Sequence, residues 1–530
     1  MRRPGFPMGA AIGALLAAPL LTILYLAQQL LGLPFAAFDL FDWLARRLPG
    51  GLVTLGIDTM VAVIRRVDVA DTSAAAKAAE QGLAITGLFL ALVLAGGVLF
   101  AVLRRTRWSG IVAGLVLGAL AGGAAALLGA GPAATAAPIA GALWSIVAFL
   151  GWGALLGWSH DRVSARRPGA GRMAVETLDR RTFLIRLGGA VAVITLVGAV
   201  LVDQIGAGRR RARLAATWSR THPLPNAGDP VQPVQGTRPE LTPLEQHYRI
   251  DINTRAPVVR EEDWRLRIGG LVARPAELSL ADLRDGYEPM HQFITLSCIS
   301  NPVGGDLIGT TRWTGVALQR VLADAEPQPN ATHLRIRSVD GFHETLPLDA
   351  VRADPRIMLT YAWDGLPLLP EHGFPLRIYI PDRYGMKQPK WIESIELIDH
   401  DERGYWVQRG WDAVARMKAT AVIDVIGMDM MAIRADRGTL IPIGGIAHAG
   451  ARAISRVQVR VDDGDWQDAR LRTPLSGLTW VLWRFEWPFQ EGEHTFTVRC
   501  FEGDGTPQVA TPSPVRPSGA TGLDSERMMF

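Results

Sequence analysis

The sequence predicts a multi-domain chain. Residues 1–208 form a helical transmembrane domain of about five spans, and 209–240 a Pro-rich linker. An α+β domain follows at 241–416, then a C-terminal β-sandwich at 417–515 and a short tail at 516–530. Three observations carry this. Long apolar runs crowd into the first 208 residues. From about Leu241 to Arg416, period-two segments alternate with short amphipathic ones. Beyond Met417 the helical period fades and short alternating strands remain.

A span needs about 20 apolar residues. Four runs meet or approach this, at 10–31, 83–103, 110–130 and 136–158, and a fifth runs from Leu187 to Ile205. Arginine clusters set the orientation, because basic residues stay on the cytoplasmic side. Arg2 and Arg3, then Arg104, Arg105 and Arg107, then the group from Arg162 to Arg181 all fall inside if the N-terminus is inside. Five crossings then put the C-terminal half on the extracytoplasmic side of the cytoplasmic membrane. Arg46, Arg47, Arg65, Arg66 and the cluster from Arg209 to Arg213 oppose this arrangement. The segment 51–64 is short for a crossing and reads as interfacial or re-entrant. Arg180-Arg181-x-Phe183-Leu184, ahead of an apolar helix, resembles a twin-arginine export signal. The alternative is a stop-transfer helix with ordinary flanking arginines.

Composition excludes several classes. The net charge of +4 comes from arginines beside apolar runs, a topology signal; no aromatic-plus-basic nucleic-acid motif is present. Two cysteines cannot build a disulfide framework, an iron–sulfur site or a zinc ribbon, and neither sits in C-x-x-C-H. Of ten histidines only His160 precedes residue 209, so a transmembrane haem with two axial histidines is not expected. The chain is therefore expected to carry neither haem nor an iron–sulfur cluster.

In the second half, residues 222–240 hold five prolines and read as a semi-rigid tether. "DWRLRIGG" (263–270) alternates like a strand ending in a glycine turn. "LSLADLRD" (278–285) reads as a capped helix and "FPLRIYIP" (374–381) as a buried strand. Further on, "ISRVQVRVDDGDWQDARL" (454–471) reads as a hairpin, and "EHTFTVRCFEGDG" (493–505) puts Phe496, Val498 and Cys500 on one face. Cys500 is then a small core residue.

Cys298 differs through its neighbours. It ends an apolar strand and enters a polar, glycine-rich loop in "TLSCISNPVGG" (295–305). This segment, with "DWRLRIGGLVARPAELSLADL", "IGTTRWTGVALQRVL", "HGFPLRIYIP" and "KQPKWIESIEL" in that order, resembles the sulfite-oxidase family of molybdenum-cofactor enzymes over about 240–515. The resemblance implies an α+β molybdopterin-binding domain followed by an immunoglobulin-like sandwich of the dimerisation type. It implies that Cys298 is the protein's only ligand to molybdenum, a soft thiolate for a metal that takes one. His372, Arg377 and Lys390, with Gln388 and Pro389 beside the lysine, match the residues that hold the pterin and its phosphate. Asp340 matches an acidic cofactor contact, and Arg249, Asp251 and Asn253 fall in the first cofactor segment. A buried structural thiol is the plain alternative for Cys298.

The departures concern substrate. Sulfite-oxidising members carry arginines where this chain has Val303, within Ser300-Asn301-Pro302-Val303, and Asp251 and Val481; their active-site tyrosine aligns with Trp411. Trp411 either stacks on a substrate or fills space. The reading that follows is a membrane-anchored, molybdenum-cofactor oxidoreductase. It would perform two-electron, oxygen-atom-transfer chemistry on a small substrate other than sulfite. An unidentified electron-transfer partner and a homodimer through the C-terminal domain are expected. The alternatives are a sulfite dehydrogenase with an external cytochrome partner, and a non-catalytic membrane receptor or scaffold that keeps the fold.

Overall fold

The computed structural model describes residues 4–52, 55, 56, 59, 71–130, 138–164, 217–430, 432–434 and 438–530. The chain divides into two units. One comprises Met1–Pro49, Ala76–Leu214 and Ile252–Val258, the other Gly50–Ala75, Ala215–Asp251 and Val259–Phe530.

Among the described residues, four helices are long and apolar enough to cross a membrane: α1 (Phe6–Leu31), α3 (Thr72–Leu103), α4 (Gly110–Gly129) and α5 (Pro138–Ser164). They fall where the first four apolar runs lie. The expected fifth span, the Arg180-Arg181 pair and most of 51–64 lie outside the described residues. Between α1 and α3, a helix α2 (Ala36–Arg47) occupies a stretch that apolar length did not mark; it carries Arg46 and Arg47 in its last turn, where cations offset the helix dipole. α4 and α5 pack through glycines spaced four apart. A Cβ at Gly114 would collide with the Gly153 carbonyl, one at Gly153 with that of Gly114, and one at Gly157 with that of Gly110. Small residues at this spacing let backbones approach, which is how helices associate where no hydrophobic effect separates them from lipid. Asp161 on α5 accepts the Gly110 and Ile111 N–H groups (2.8 and 3.1 Å), satisfying two orphan donors at the start of α4.

The second unit begins with two five-stranded sheets. One runs β2-β1-β10-β5-β6: Ala276–Leu278, Leu266–Gly270, Ile392–Ile398, His333–Ser338 and His343–Pro347. Only its β1–β10 pair is parallel. The other runs β3-β4-β7-β8 (Met290–Ser297, Ile308–Ala317, Met358–Trp363, Leu366–Pro367), with β9 (Arg377–Tyr379) beside β7. Short helices α6 (Leu280–Asp285), α7 (Leu318–Ala325) and α8 (Leu348–Ala353) help fill the core with Leu283, Val321, Leu322 and Val351. α6 starts as its sequence indicates: Ser279 and Asp282 form a reciprocal capping box.

Two further sheets share one apolar core. One comprises β11 (Thr420–Ile426), β13 (Gly438–His448), β17 (Val481–Pro488) and β16 (Arg470–Leu471), with β12 (Ala432–Arg434) on β13. The other runs β15-β14-β18-β19: Gln467–Asp468, Ile454–Val461, Glu493–Glu502 and Asp524–Met529. Val457, Val459, Phe496, Val498 and Cys500 of one sheet meet Ile441, Ile443, Trp483 and Phe485 of the other. Cys500 is a fully buried free thiol, as its alternating position predicts.

Two boundaries differ from expectation. The tail at 516–530 contributes an edge strand, β19, because Asp524–Met529 pairs antiparallel along Glu493–Val498. The expected tether is held along the C-terminal sheets. Arg472 donates to the carbonyls of Asn226 and Val231 (2.9 Å each), and Val234 lies buried where Gly444 has no side chain. Prolines lack N–H donors, but the segment's carbonyls remain acceptors that a buried arginine can use.

Candidate active site

Cys298 follows β3 directly. Its N–H donates to the Leu307 carbonyl (2.9 Å), continuing the β3–β4 ladder by one residue before the loop at 299–306 opens. That loop folds back on itself: Asn301 N–H donates to the Cys298 carbonyl (3.1 Å), and Asn301 Oδ1 accepts from Leu307 N–H (2.9 Å). Gly304 sits at φ +81°, a conformation that favours glycine. The Cys298 thiol is buried, with Sγ 3.0 Å from Ser300 Oγ. Burial pushes its pKa up, while the Ser300 hydroxyl, nearby backbone N–H groups and the Lys390 charge oppose the shift. To be held as a thiolate, a sulfur this buried needs a cation beside it, which a metal would supply. Among the described residues no three His, Cys, Asp or Glu side chains gather as a metal-ligand group.

His372, Arg377 and Lys390 come together around Gly373. This glycine sits at φ +111°, and a Cβ there would press on Lys390 Cβ (3.0 Å) and Arg377 Cβ (3.2 Å). Arg377 opens β9 with its guanidinium against a pair of touching indoles, 4.8 Å from the Trp313 ring and 4.9 Å from Trp363, the two rings themselves 4.8 Å apart. Its Nη1 donates to the His372 carbonyl (3.2 Å). Arg377 Nε and the indole N–H groups of Trp313 and Trp363 are buried without a hydrogen-bond partner. Buried donors left unpaired cost about 1–3 kcal/mol each. An anionic oxygen group such as a phosphate would satisfy them, so this cage fits the cofactor that the resemblance implies. Burial holds Arg377 down to about 10. His372 stays neutral, pushed well below the usual range by burial first and by His247 and Lys390 next.

Lys390 is pinned by Asp251 Oδ2 (3.1 Å) and the Glu371 carbonyl (2.9 Å), and lies 4.4 Å over the Trp391 ring. Burial lowers its pKa to about 8, against the opposing pull of Asp251. Asp251 also pairs with Arg249 (2.8 Å). Two cations therefore offset the one carboxylate, and the charge expected from Asp251 at a substrate pocket is not free to act there. Asp340 is buried in the β5–β6 turn and accepts from Phe342 N–H (3.0 Å); Val339 N–H beside it donates to the Trp391 carbonyl (3.0 Å), which draws this turn to the lysine segment. Gln388 uses its amide N–H groups on the carbonyls of Ile380 (3.3 Å) and Arg383 (2.9 Å), while the Pro389 carbonyl accepts from Ile378 N–H (3.2 Å). Both brace the backbone.

Asn253 belongs to the helical unit, where its side-chain oxygen accepts from Arg46 (2.7 Å) and its carbonyl from Lys77 (2.9 Å). Trp411 is buried in one apolar cluster with Ile299, Tyr384, Met386, Ala415 and Met417. Val303 lies in the Cys298 loop, and Val481 opens β17 opposite Ala447. Sequence reasoning missed the aromatic cage. It also missed His247, whose ring lies 4.6 Å from Trp363 and 5.4 Å from His372, and Tyr248, also buried. Trp313 falls inside a quoted motif, but nothing in its spacing shows that it faces Arg377.

The comparisons with known proteins follow this geometry. The family model for the oxidoreductase molybdopterin-binding domain matches residues 253–406. An uncharacterized oxidoreductase of Bacillus subtilis (strain 168) is 31% identical over 150 residues, covering 28% of this chain and 72% of that one. Sulfite oxidase of Gallus gallus is 26% identical over 296 residues, covering 48% and 64%. Nitrate reductase [NAD(P)H] of Hordeum vulgare is 24% identical over 334 residues, covering 51% and 37%. The chain thus spans less than two thirds of the sulfite oxidase and just over a third of the nitrate reductase.

Proposed function

The chain belongs to the molybdopterin-binding oxidoreductase family, and from that premise we propose that it is a membrane-anchored enzyme acting on a small substrate other than sulfite, with its catalytic part outside the cytoplasmic membrane. The observation that carries the cofactor assignment is the cage of unpaired buried donors on Arg377, Trp313 and Trp363, in the same unit as the thiol of Cys298. Cys298 would ligate molybdenum. Arg377, His372 and Lys390 would hold the pterin and its phosphate, with Asp340 and the Arg249–Asp251 pair completing the contact. When bound, the cofactor supplies two-electron, oxygen-atom-transfer chemistry. The chain's own residues bind, orient and exclude water. Arg377 and Lys390 supply fixed charge to the phosphate, neutral His372 offers one ring N–H, and Trp411 closes the side of the Cys298 loop against solvent.

Substrate choice rests on the two aliphatic residues, Val303 and Val481, since Asp251 is committed to Arg249 and Lys390. A dianion needs paired charge that valines do not provide. Sulfite oxidation with an external cytochrome partner is the second reading, favoured by the excess of cations over carboxylate around Asp251. A receptor or scaffold without metal would leave the cage donors permanently unpaired.

Molybdenum and pterin content of the purified full chain tests the cofactor assignment. Assays with sulfite and with dimethyl sulfoxide plus a reduced dye then separate the two enzymatic readings; saturable sulfite oxidation overturns the preferred one. Reporter fusions after Arg107 and Pro239 should report cytoplasm and exterior. Replacing Arg180 and Arg181 by lysine should trap the catalytic part inside if the twin-arginine route is used.

A further inference from the structure

The sheet β15-β14-β18-β19 turns one face to the apolar core through Val457, Val459, Phe496, Val498 and Cys500. Alternation puts Arg456, Gln458 and Arg460 of β14 on its other face, and the register sets Arg499 and Phe501 of β18 beside them. With Trp466, just before β15, these side chains form one continuous stack. Arg456 lies 4.0 Å over the Phe501 ring, while Arg499 lies 5.2 Å from that ring and 4.1 Å from Trp466. Arg460 completes the stack, 4.8 Å from the Trp466 ring. Arg456 and Arg460 stand four positions apart on one strand, so the three guanidiniums span roughly 13 Å.

This stack is cationic and not neutralised. Among the described residues no carboxylate forms an ion pair with Arg456, Arg460 or Arg499. Arg499 donates from Nε and Nη2 to Gln458 Oε1 (3.0 and 2.7 Å). Asp468, opposite Gln458 on β15, accepts the Gln458 amide N–H instead (2.9 Å). Arg460 Nε is buried without a hydrogen-bond partner, and Arg456 is exposed. Burial first, then the charges of Arg456 and Arg460, lower the Arg499 pKa, so the cations repel one another across the face. A guanidinium laid on an aromatic ring is held in place with donors still available at its edge, and it loses little freedom when a carboxylate arrives.

We propose that this face docks an acidic protein, one that presents a row of carboxylates to Arg456, Arg460 and Arg499. The inference stands apart from the cofactor assignment and goes beyond it. Charge complementarity selects the occupant: three fixed cations without counter-charge favour an anionic surface and reject a basic one. A second copy of this chain fits poorly. A two-fold contact would set the patch against itself and bring these arginines toward their own counterparts. A homodimer through the C-terminal sheets would therefore use another face.

The test uses the full chain in phosphatidylcholine nanodiscs and a hexaglutamate peptide as the probe. Binding at low salt should weaken about fivefold in each of Arg456→Gln, Arg460→Gln and Arg499→Gln, the effect of losing one half-exposed charge pair. The triple variant should not bind. Trp466→Leu keeps every charge but loosens the stack, and should weaken binding about threefold. Arg470→Gln removes an exposed cation from the edge strand β16 of the other sheet, and should stay within about twofold. Thermal unfolding confirms that each variant is folded. Unchanged affinity in Trp466→Leu or in the triple variant overturns the proposal, as does an equal loss in Arg470→Gln, which would make net charge the cause. Arginine-dependent binding of phosphatidylglycerol vesicles, tighter than that of the peptide, gives the face to a lipid surface and overturns it too. So does a lower oligomeric mass of the triple variant in detergent, which would make a second copy the occupant.

Discussion

Arg238 Nε lies 3.0 Å from Asp424 Oδ1, and the same guanidinium donates to the carbonyls of Gly305 (3.0 Å) and Gly304 (2.9 Å). One side chain from the Pro-rich segment thus joins the Cys298 loop to strand β11. Asp424 is buried, and burial raises its pKa against the pull of Arg238. Arg238→Ala should cost about 3 kcal/mol of stability, because it strands a buried carboxylate. Asp424→Asn in the same background should recover most of that loss. Additive losses in the double variant, measured by denaturant unfolding, would show that the pair is not coupled.

The two cysteines should respond differently. Cys298→Ser should eliminate bound molybdenum, since an alcohol is a poor ligand for a soft metal, while α1 and α3–α5 still insert. Cys500→Ser should keep the metal and lose about 1 kcal/mol, as its thiol sits in a tight core against Gln508 Oε1 (3.3 Å). Metal analysis of both variants checks this. Full molybdenum content in the Cys298 variant refutes the ligand assignment.

Cofactor retention should depend on pH through Lys390. Burial depresses its pKa from the ordinary 10.5 to about 8. For a base with a depressed folded pKa, the penalty of burying charge is fully present below pH 8 and disappears as pH rises above the unfolded value. An anionic cofactor group draws on that same charge. Retention should therefore be strongest below about pH 8 and fall above it. Pterin release rates between pH 7 and 9.5 measure this, and Lys390→Met should flatten the profile. An equally steep fall in the Met variant would assign the dependence to another group.

In the helical unit, Gly114→Leu or Gly153→Leu should separate α4 from α5, because each added side chain meets backbone on the facing helix. Gly123→Leu, on α4 with open space at its Cβ, should be neutral. The folded fraction in mild detergent discriminates them. Equal loss in all three would mean that α4 tolerates no bulk anywhere.

Much of this protein was legible in one dimension. Apolar length located the four described helices long and apolar enough to cross a membrane, since lipid requires length and hydrophobicity whatever the neighbours. Alternation placed Cys500 in a core, and the end of an apolar strand marked Cys298. The family resemblance brought out His372, Arg377 and Lys390, whose approach depends on the missing side chain of Gly373. The rest depends on contacts between distant segments, which leave no periodicity in the chain. Trp313, Trp363 and Arg377 lie on three strands and meet only when β4, β7 and β9 pair. Asp251 looks like a lone acid in sequence and becomes an ion-pair partner of Lys390, 139 residues away. Asn253, two positions on, belongs to the helical unit and accepts from Arg46 there, 207 residues away. Arg238 was one residue among prolines, and β19 was a tail; each gained its place from hydrogen-bonding groups that another strand had left unpaired, which only tertiary structure could supply.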